Sequence, residues 1–251
     1  MEREEARQAL HCALSIGEEL LRNGAEVGRV EDTIRRICIA YGAVRADVFS
    51  ITSSIIATIF YGEEESYTET RRVAFKNNDM TRLDLLNRLS RKICQTGLTP
   101  REAEAEMEEI RCAPRYSFPV QMLTYAIISG SFTLFFGGDW VDMAASAVIG
   151  VAIKIFESTI KRGAFNTLIS SLLCAGMGGV LANLAVLSGL GHHADLISIG
   201  NVMLLIPGLA FTNALRDLFS GDTVTGLIRF MESLLLSVAV AFGFTLANLL
   251  F

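Results

Sequence analysis

Residues 194–222 read ADLISIGNVMLLIPGLAFTNALRDLFSGD. From Leu196 to Phe211 the stretch is apolar enough for lipid, yet Pro207-Gly208 interrupts it and Asn213, Arg216 and Asp217 stand at its exit. Proline donates no amide hydrogen and its ring collides with the preceding turn, so a helix entering near 195 must kink or break at 207. Two readings are open. One is a static kink. The other is a discontinuous helix whose first half, 196–206, is about 16 Å long, with Pro207 suited to open the second half. A second half starting at bilayer midplane would aim its positive amide end at an anion.

Beyond the break, Asn213, Arg216 and Asp217 fall at i, i+3 and i+4 and share one helix face. A guanidinium there can grip a carboxylate through two parallel hydrogen bonds, with Asp217 reading an ammonium group or pairing with Arg216 when the site is empty. The competing reading is an ordinary interfacial ion pair. Asn183 and Asn201 sit at or near span interiors, where an unpaired amide is costly, so both should face protein or water, and Asn201 joins the substrate-facing set. Glu232, about one turn inside the last hydrophobic stretch, is a proton-coupling candidate. Glu157 has a simpler explanation, because Lys154 and Lys161 flank it at i−3 and i+4.

The broken stretch is the fourth of five, at about 119–136, 140–156, 166–188, 195–213 and 229–250. The first is 18 residues, about 27 Å of helix, which just crosses a bilayer. The mean hydropathy of +0.41 averages two unlike parts. Residues 1–115 hold 17 of the 22 Lys/Arg and 20 of the 27 Asp/Glu, so a soluble domain over 1–115 is joined to a five-span domain over 116–251. The inner flanks carry Arg111, Arg115, Lys154, Lys161, Arg162, Arg216 and Arg229, while the loops 137–142 and 189–195 carry no Lys or Arg. That bias places the soluble domain in the cytoplasm and the carboxyl terminus outside. The start, MEREEARQALH, lacks the basic and apolar regions of a cleavable signal, so insertion is expected to begin at the first internal span. Small residues crowd the spans (Ser129-Gly130-Ser131, Ala144 to Ala147, Gly150, Gly176, Gly178, Gly179) and predict a packed bundle.

The soluble part reads α+β. Ala6, Leu10, Ala13, Leu14, Gly17, Leu20 and Leu21 make one apolar stripe of a helix over 2–23, and Val30, Ile34, Ile37 and Cys38 another over 28–41. The period then changes to two in ADVFSITSSIIATIFYGEEESYTETRRVAF, giving two or three strands with a turn at Gly62-Glu63-Glu64-Glu65. Helices follow over 81–96 and from Thr99-Pro100-Arg101-Glu102, a capping-box spacing.

Several chemistries are disfavoured. A net charge of −5 without a basic stripe argues against a nucleic-acid partner. The five scattered cysteines lack ligand spacing and read as buried reduced thiols, and His192-His193 with Asp195 is a poor metal set, so no metal or cofactor is expected. Ser50, Ser53 and Ser54 lack a nucleophile-elbow frame, His11 is the only histidine nearby, and no phosphate-binding G-x-x-x-x-G-K-[ST] occurs.

GEELLRNGAEVGRVEDTIRRICIAYG in the soluble part and LIPGLAFTNALRDLFSGDTVTGLIR before the last span resemble the threonine/serine exporter family. The marks are Gly17, Glu18, Leu20, Gly24-Ala25, Arg29, Glu31 and Tyr41-Gly42, then Pro207-Gly208, Asn213, Arg216-Asp217, Gly221-Asp222 and Gly226. The resemblance implies efflux of a small polar metabolite. It also implies that this chain is similar to the first half of longer members and to the larger subunit of a two-component, succinate-exporting branch, so that a second small multi-pass subunit is needed. Threonine, serine and succinate share a carboxylate. The expected protein is therefore a proton-driven, non-enzymatic exporter subunit of the bacterial cytoplasmic membrane. It would take substrate at Pro207, Gly208, Asn201, Asn213, Arg216 and Asp217, with Glu232 and Asp222 as coupling candidates, and self-association is a further option. The rival readings are a membrane-anchored sensor or scaffold and a tethered enzyme.

Overall fold

In the computed structural model the described residues are 3–61, 65–73, 78–114, 116–162 and 166–251. The expected turn at Gly62-Glu63-Glu64 and the flanking charge Arg115 lie outside them, as do the side chains of Lys161 and Arg162. The chain forms two compact units, Met1–Pro114 with Thr212–Phe230, and Arg115–Phe211 with Met231–Phe251.

The first unit opens with α1 (Arg3–Arg22) and α2 (Val27–Ala40), the helices that the two apolar stripes predict. Leu10, Leu14, Leu20, Ile34 and Ile37 are completely buried between them and the sheet. Strands β1 (Arg45–Ile51), β2 (Ser54–Phe60) and β3 (Ser66–Arg72) form an antiparallel meander in the order β1-β2-β3. Ile55, Ala57 and Ile59 of β2 turn inward, and Ile56 between them is exposed, the alternation that a one-sided sheet requires. Strand β3, SYTETRR, has no large aliphatic residue and lies at the edge, where charge discourages further pairing. Next come α3 (Met80–Thr96) and α4 (Pro100–Cys112). The capping box is present: Thr99 N–H donates to Glu102 Oε2 at 2.9 Å, and Glu102 N–H donates to Thr99 Oγ1 at 3.4 Å. Cys12, Cys38 and Cys174 are buried as expected, but Cys94 and Cys112 are exposed, because each lies off the apolar face of its helix. Burial pushes the Cys12 and Cys38 thiols up to about 11 and about 12, which makes them inert.

Among the described residues, four helices are long and apolar enough to cross a membrane: α5 (Phe118–Phe135), α6 (Trp140–Arg162, apolar over Trp140–Ile160), α7 (Thr167–Leu187) and α10 (Thr223–Asn248). The fourth expected span is not a continuous helix. It is divided into α8 (Ala194–Val202) and α9 (Gly208–Phe219), neither of which has the length to span alone. The break follows from Pro207. Approaching it, the chain tightens, with Leu204 N–H donating to the Asn201 carbonyl and Leu205 N–H to the Val202 carbonyl, and α9 restarts when Phe211 N–H reaches the Pro207 carbonyl. Residues 212–219 and 223–230 of α9 and α10 belong to the first unit and the remainder to the second.

Close backbone approach organises the second unit. A side-chain carbon on Gly243 of α10 would lie 2.5 Å from the Leu172 carbonyl of α7, so only glycine lets these helices meet so closely.

Candidate functional site

The first cluster is built around the turn between α1 and α2. The chain leaves α1 through Asn23-Gly24, where Gly24 has φ +94° and Ala25 N–H closes back on the Leu20 carbonyl at 3.0 Å. The turn therefore presents carbonyls from the end of α1 beside free amides from the start of α2. Those are a negative and a positive helix end a few residues apart. The α9–α10 segment supplies the complement to each. Asn213 Nδ2 donates to the Gly24 carbonyl at 3.2 Å, and Arg229 Nη2 donates to the Ala25 carbonyl at 3.1 Å. Asp217 accepts from the Val27 amide and from Arg229 Nη1, the latter at 2.8 Å. Glu26 pairs with Arg216.

Two ion pairs thus join the same elements, and they differ in kind. Asp217 is 2% and Arg229 11% exposed, and each has a second partner in the turn. Burial lifts the Asp217 carboxyl above its ordinary range, with Arg229 opposing the shift. Arg216 and Glu26 are 60% and 26% exposed, a setting in which an ion pair is worth about 0–1 kcal/mol.

Asn213, Arg216 and Asp217 do come to one place, as their spacing predicts. Arg216 and Asp217 do not pair with each other, because adjacent helical residues point about 100° apart, and each finds a partner elsewhere. Asp222 lies at the start of α10, where its carbonyl accepts from Gly226 N–H at 2.8 Å, and its Oδ2 is 3.4 Å from the position of a side-chain carbon on Gly28. Glu26 was not legible as a partner in the sequence. The signal was its place in GAEVG, directly before the α2 amides.

The second cluster lies within the second unit. Ser129 of α5, Ser146 of α6 and Asn201 of α8 are fully buried. Asn201 Oδ1 accepts from Ser129 Oγ at 2.7 Å, and its Nδ2 donates to Ser146 Oγ at 3.2 Å and to the Ile197 carbonyl at 2.9 Å. Asn201 is thus engaged on both sides of its amide. Ser198, one turn earlier, is buried with a hydroxyl that has no hydrogen-bond partner. Thr133 packs against Gly200, where a side-chain carbon would come within 2.0 Å of Thr133 Oγ1 and 2.8 Å of the Ser129 carbonyl. Asn183 Nδ2 donates to Asn248 Oδ1 at 2.8 Å. Glu157 accepts from Lys154 at 3.1 Å and from the Tyr125 hydroxyl at 2.9 Å, so the expected local pairing is present through Lys154. Glu232 is exposed on α10. Gly208 has open space where a side chain would stand.

A third cluster ties the loops at the other ends of these helices. Asp142 is fully buried and accepts from the backbone amides of His192 and His193, at 2.6 and 3.1 Å, and lies 2.8 Å from His193 Nδ1. That hydrogen bond raises the His193 imidazole above its ordinary range. Asp139 contacts His192 Nδ1 and its carboxyl is held low, chiefly by the Asp142 amide. Asp139, Asp142 and His192 place one ligand atom each within 4.8 Å of one another, but these groups are already hydrogen-bonded, Asp139 to the His192 ring and Asp142 to the His192 and His193 amides and the His193 ring. Asp195, grouped with the histidines on sequence, is not in this set.

The four long apolar helices among the described residues describe a multi-pass membrane protein, and comparison with known proteins agrees. The chain belongs to the family described as "Putative threonine/serine exporter", which matches residues 11–251. It is a multi-pass membrane protein. It is 26% identical over 242 residues to the "Threonine/serine exporter" of Corynebacterium glutamicum, covering 93% of this chain and 49% of that protein. The chain thus spans about half the length of that relative. It is 24% identical over 245 residues to the "Probable succinate transporter subunit YjjP" of Klebsiella aerogenes, covering 96% of this chain and 92% of that protein. The protein of the same name from Escherichia coli is 22% identical over 251 residues. No solved structure matches.

Proposed function

We propose that this chain is one half of a secondary exporter of small carboxylate-bearing metabolites, of the threonine, serine or succinate class, completed by a second small multi-pass subunit. The observation that carries the reading is the break at Pro207 followed by an exposed arginine, Arg216, held by a surface ion pair. Half-coverage of a full-length exporter and near-complete coverage of a protein named as a subunit support the two-chain arrangement. In this reading α8 and the start of α9, over 195–213, form the fourth, discontinuous span of a five-span bundle, with the first unit in the cytoplasm and the carboxyl terminus outside, in a bacterial cytoplasmic membrane.

Substrate enters from the cytoplasm and meets Arg216 by its carboxylate. The positive amino-terminal end of α9 behind Pro207-Gly208 then receives the charge near midplane. Asn201 fixes the end of α8 to α5 and α6, and Asn213 and Asp217 fix α9 to the α1–α2 turn, so these three position the pathway. Transport is driven by the proton gradient, with exposed Glu232 and, at the head of α10, Asp222 as the carrier candidates. The test uses vesicles holding both subunits, loaded with labelled threonine, serine or succinate under an imposed pH gradient. Arg216→Gln and Pro207→Ala are expected to cut efflux of at least one substrate at least tenfold. Unchanged efflux of all three in both variants would refute the site.

A further inference from the structure

The sequence marks Arg216 as a carboxylate receptor, and the structure shows a carboxylate already on it: that of Glu26. Glu26 stands at the N-cap of α2, yet its side chain makes no capping bond to its own helix. The first α2 amide, at Val27, is taken by Asp217. The Glu26 carboxylate reaches across to α9, 190 residues away in sequence. The neighbouring Asp217–Arg229 pair is enclosed and tied by further hydrogen bonds to the turn, so it holds the segment together without Glu26. The Glu26–Arg216 pair is solvent-exposed and, among the described residues, adds no further tie. A carboxylate arriving from water can replace one such partner by another of the same chemistry, exchanging like for like.

We infer that Glu26 is an internal competitor for the substrate carboxylate: it occupies the Arg216 guanidinium when the site is empty and is displaced when substrate binds. The inference rests on the reading of Arg216 as the capture residue. Glu26 is a positioning residue here, since it touches Arg216 and not the substrate. Its effect is a tax on affinity, because a ligand that binds only the unpaired arginine has its apparent affinity lowered by the fraction of time the pair is open. If the pair is closed most of the time, its removal should improve half-saturation by roughly three- to tenfold. It also sets a filter. A weakly bound monocarboxylate suffers the tax, whereas a ligand with a second anchor overcomes it, so removal should help the former more.

The experiment is initial-rate transport of labelled succinate and labelled threonine, presented to the cytoplasmic face of vesicles holding this chain and its partner subunit. Wild type, Glu26→Gln, Glu26→Asp and Arg216→Gln are compared. Glu26→Gln is expected to lower the half-saturating concentration of at least one substrate by roughly three- to tenfold, while the maximal rate moves less. Glu26→Asp, which keeps the charge but shortens the reach, should shift it in the same direction by a smaller factor. If Arg216→Gln impairs transport while both Glu26 variants leave half-saturation unchanged or raise it, the competitor role is overturned and the capture role of Arg216 stands. If Arg216→Gln itself has no effect, the reading of the site falls and the inference with it. Should Glu26→Gln fail to fold, the Glu26→Asp result decides alone.

Discussion

At the scale of single residues, the two ion pairs of the α1–α2 turn make opposite predictions. Asp217 and Arg229 are buried, and removing one member of a buried pair strands the other charge, at a cost of about 3–5 kcal/mol. Asp217→Ala or Arg229→Ala should therefore lower the melting temperature of the purified chain markedly. Arg216→Gln should cost no more than about 1 kcal/mol, because its pair is open to water. Equal shifts for the two pairs, measured by thermal melting in one detergent, would show that their difference in burial carries no energetic weight. The spacing of Asn213, Arg216 and Asp217 was legible as a shared face, since i, i+3 and i+4 is a property of the helix alone. Their partners were not. Arg229 is 12 residues from Asp217, and Glu26 is 190 from Arg216, and nothing local connects either pair. Asn201 was legible as a polar group in need of partners, but its ties to Ser129 and Ser146 cross 72 and 55 residues.

Elements show where local chemistry suffices. The stripes of α1 and α2, the Thr99–Glu102 box opening α4 and the interruption at Pro207 all follow from residues within a few positions of each other, and all are present. The choice between a kink and a break was decided by what surrounds Pro207: α8 is pinned by Asn201 one residue before its end, so the helix stops there instead of bending through. Gly200 is part of that pinning. Gly200→Ala would drive a carbon into Thr133 Oγ1 and the Ser129 carbonyl, and an overpacking cost of about 1–3 kcal/mol or more is expected. Thr133→Ala should recover only part of it, since the carbonyl remains; full recovery, read by melting, would place the clash on the side chain alone. The loop tie at Asp142 is pH-dependent. The His193 imidazole is raised in the folded chain, so its contribution is complete below the ordinary value of 6.5 and is lost as pH rises through the raised one. Hydrogen exchange of residues 188–193 should accelerate over that rise in wild type, and His193→Gln should remove the step. A step that persists in the variant would assign it to another group.

For the molecule as a whole, the clasp makes the first unit more than a domain on a tether. Residues 212–230 belong to the same compact unit as residues 1–114, so that unit is closed by chain from both ends of the sequence. A protease site placed in residues 113–117 of the full chain should therefore yield an amino-terminal fragment that stays with the membrane after cutting in wild type and is released with Arg229→Ala. Release from wild type would show that the linker alone had held it. The division into a charged first part and an apolar second part was legible from composition, because charge and lipid exclude each other. The crossing of 212–230 into the first unit was not, because it depends on the turn at Gly24 meeting α9. The half-exporter assignment itself is tested most directly by efflux of labelled threonine, serine and succinate from vesicles that carry this chain alone, its proposed partner subunit alone, or both. Efflux is expected only where both are present, and efflux at the full rate from this chain alone would contradict it.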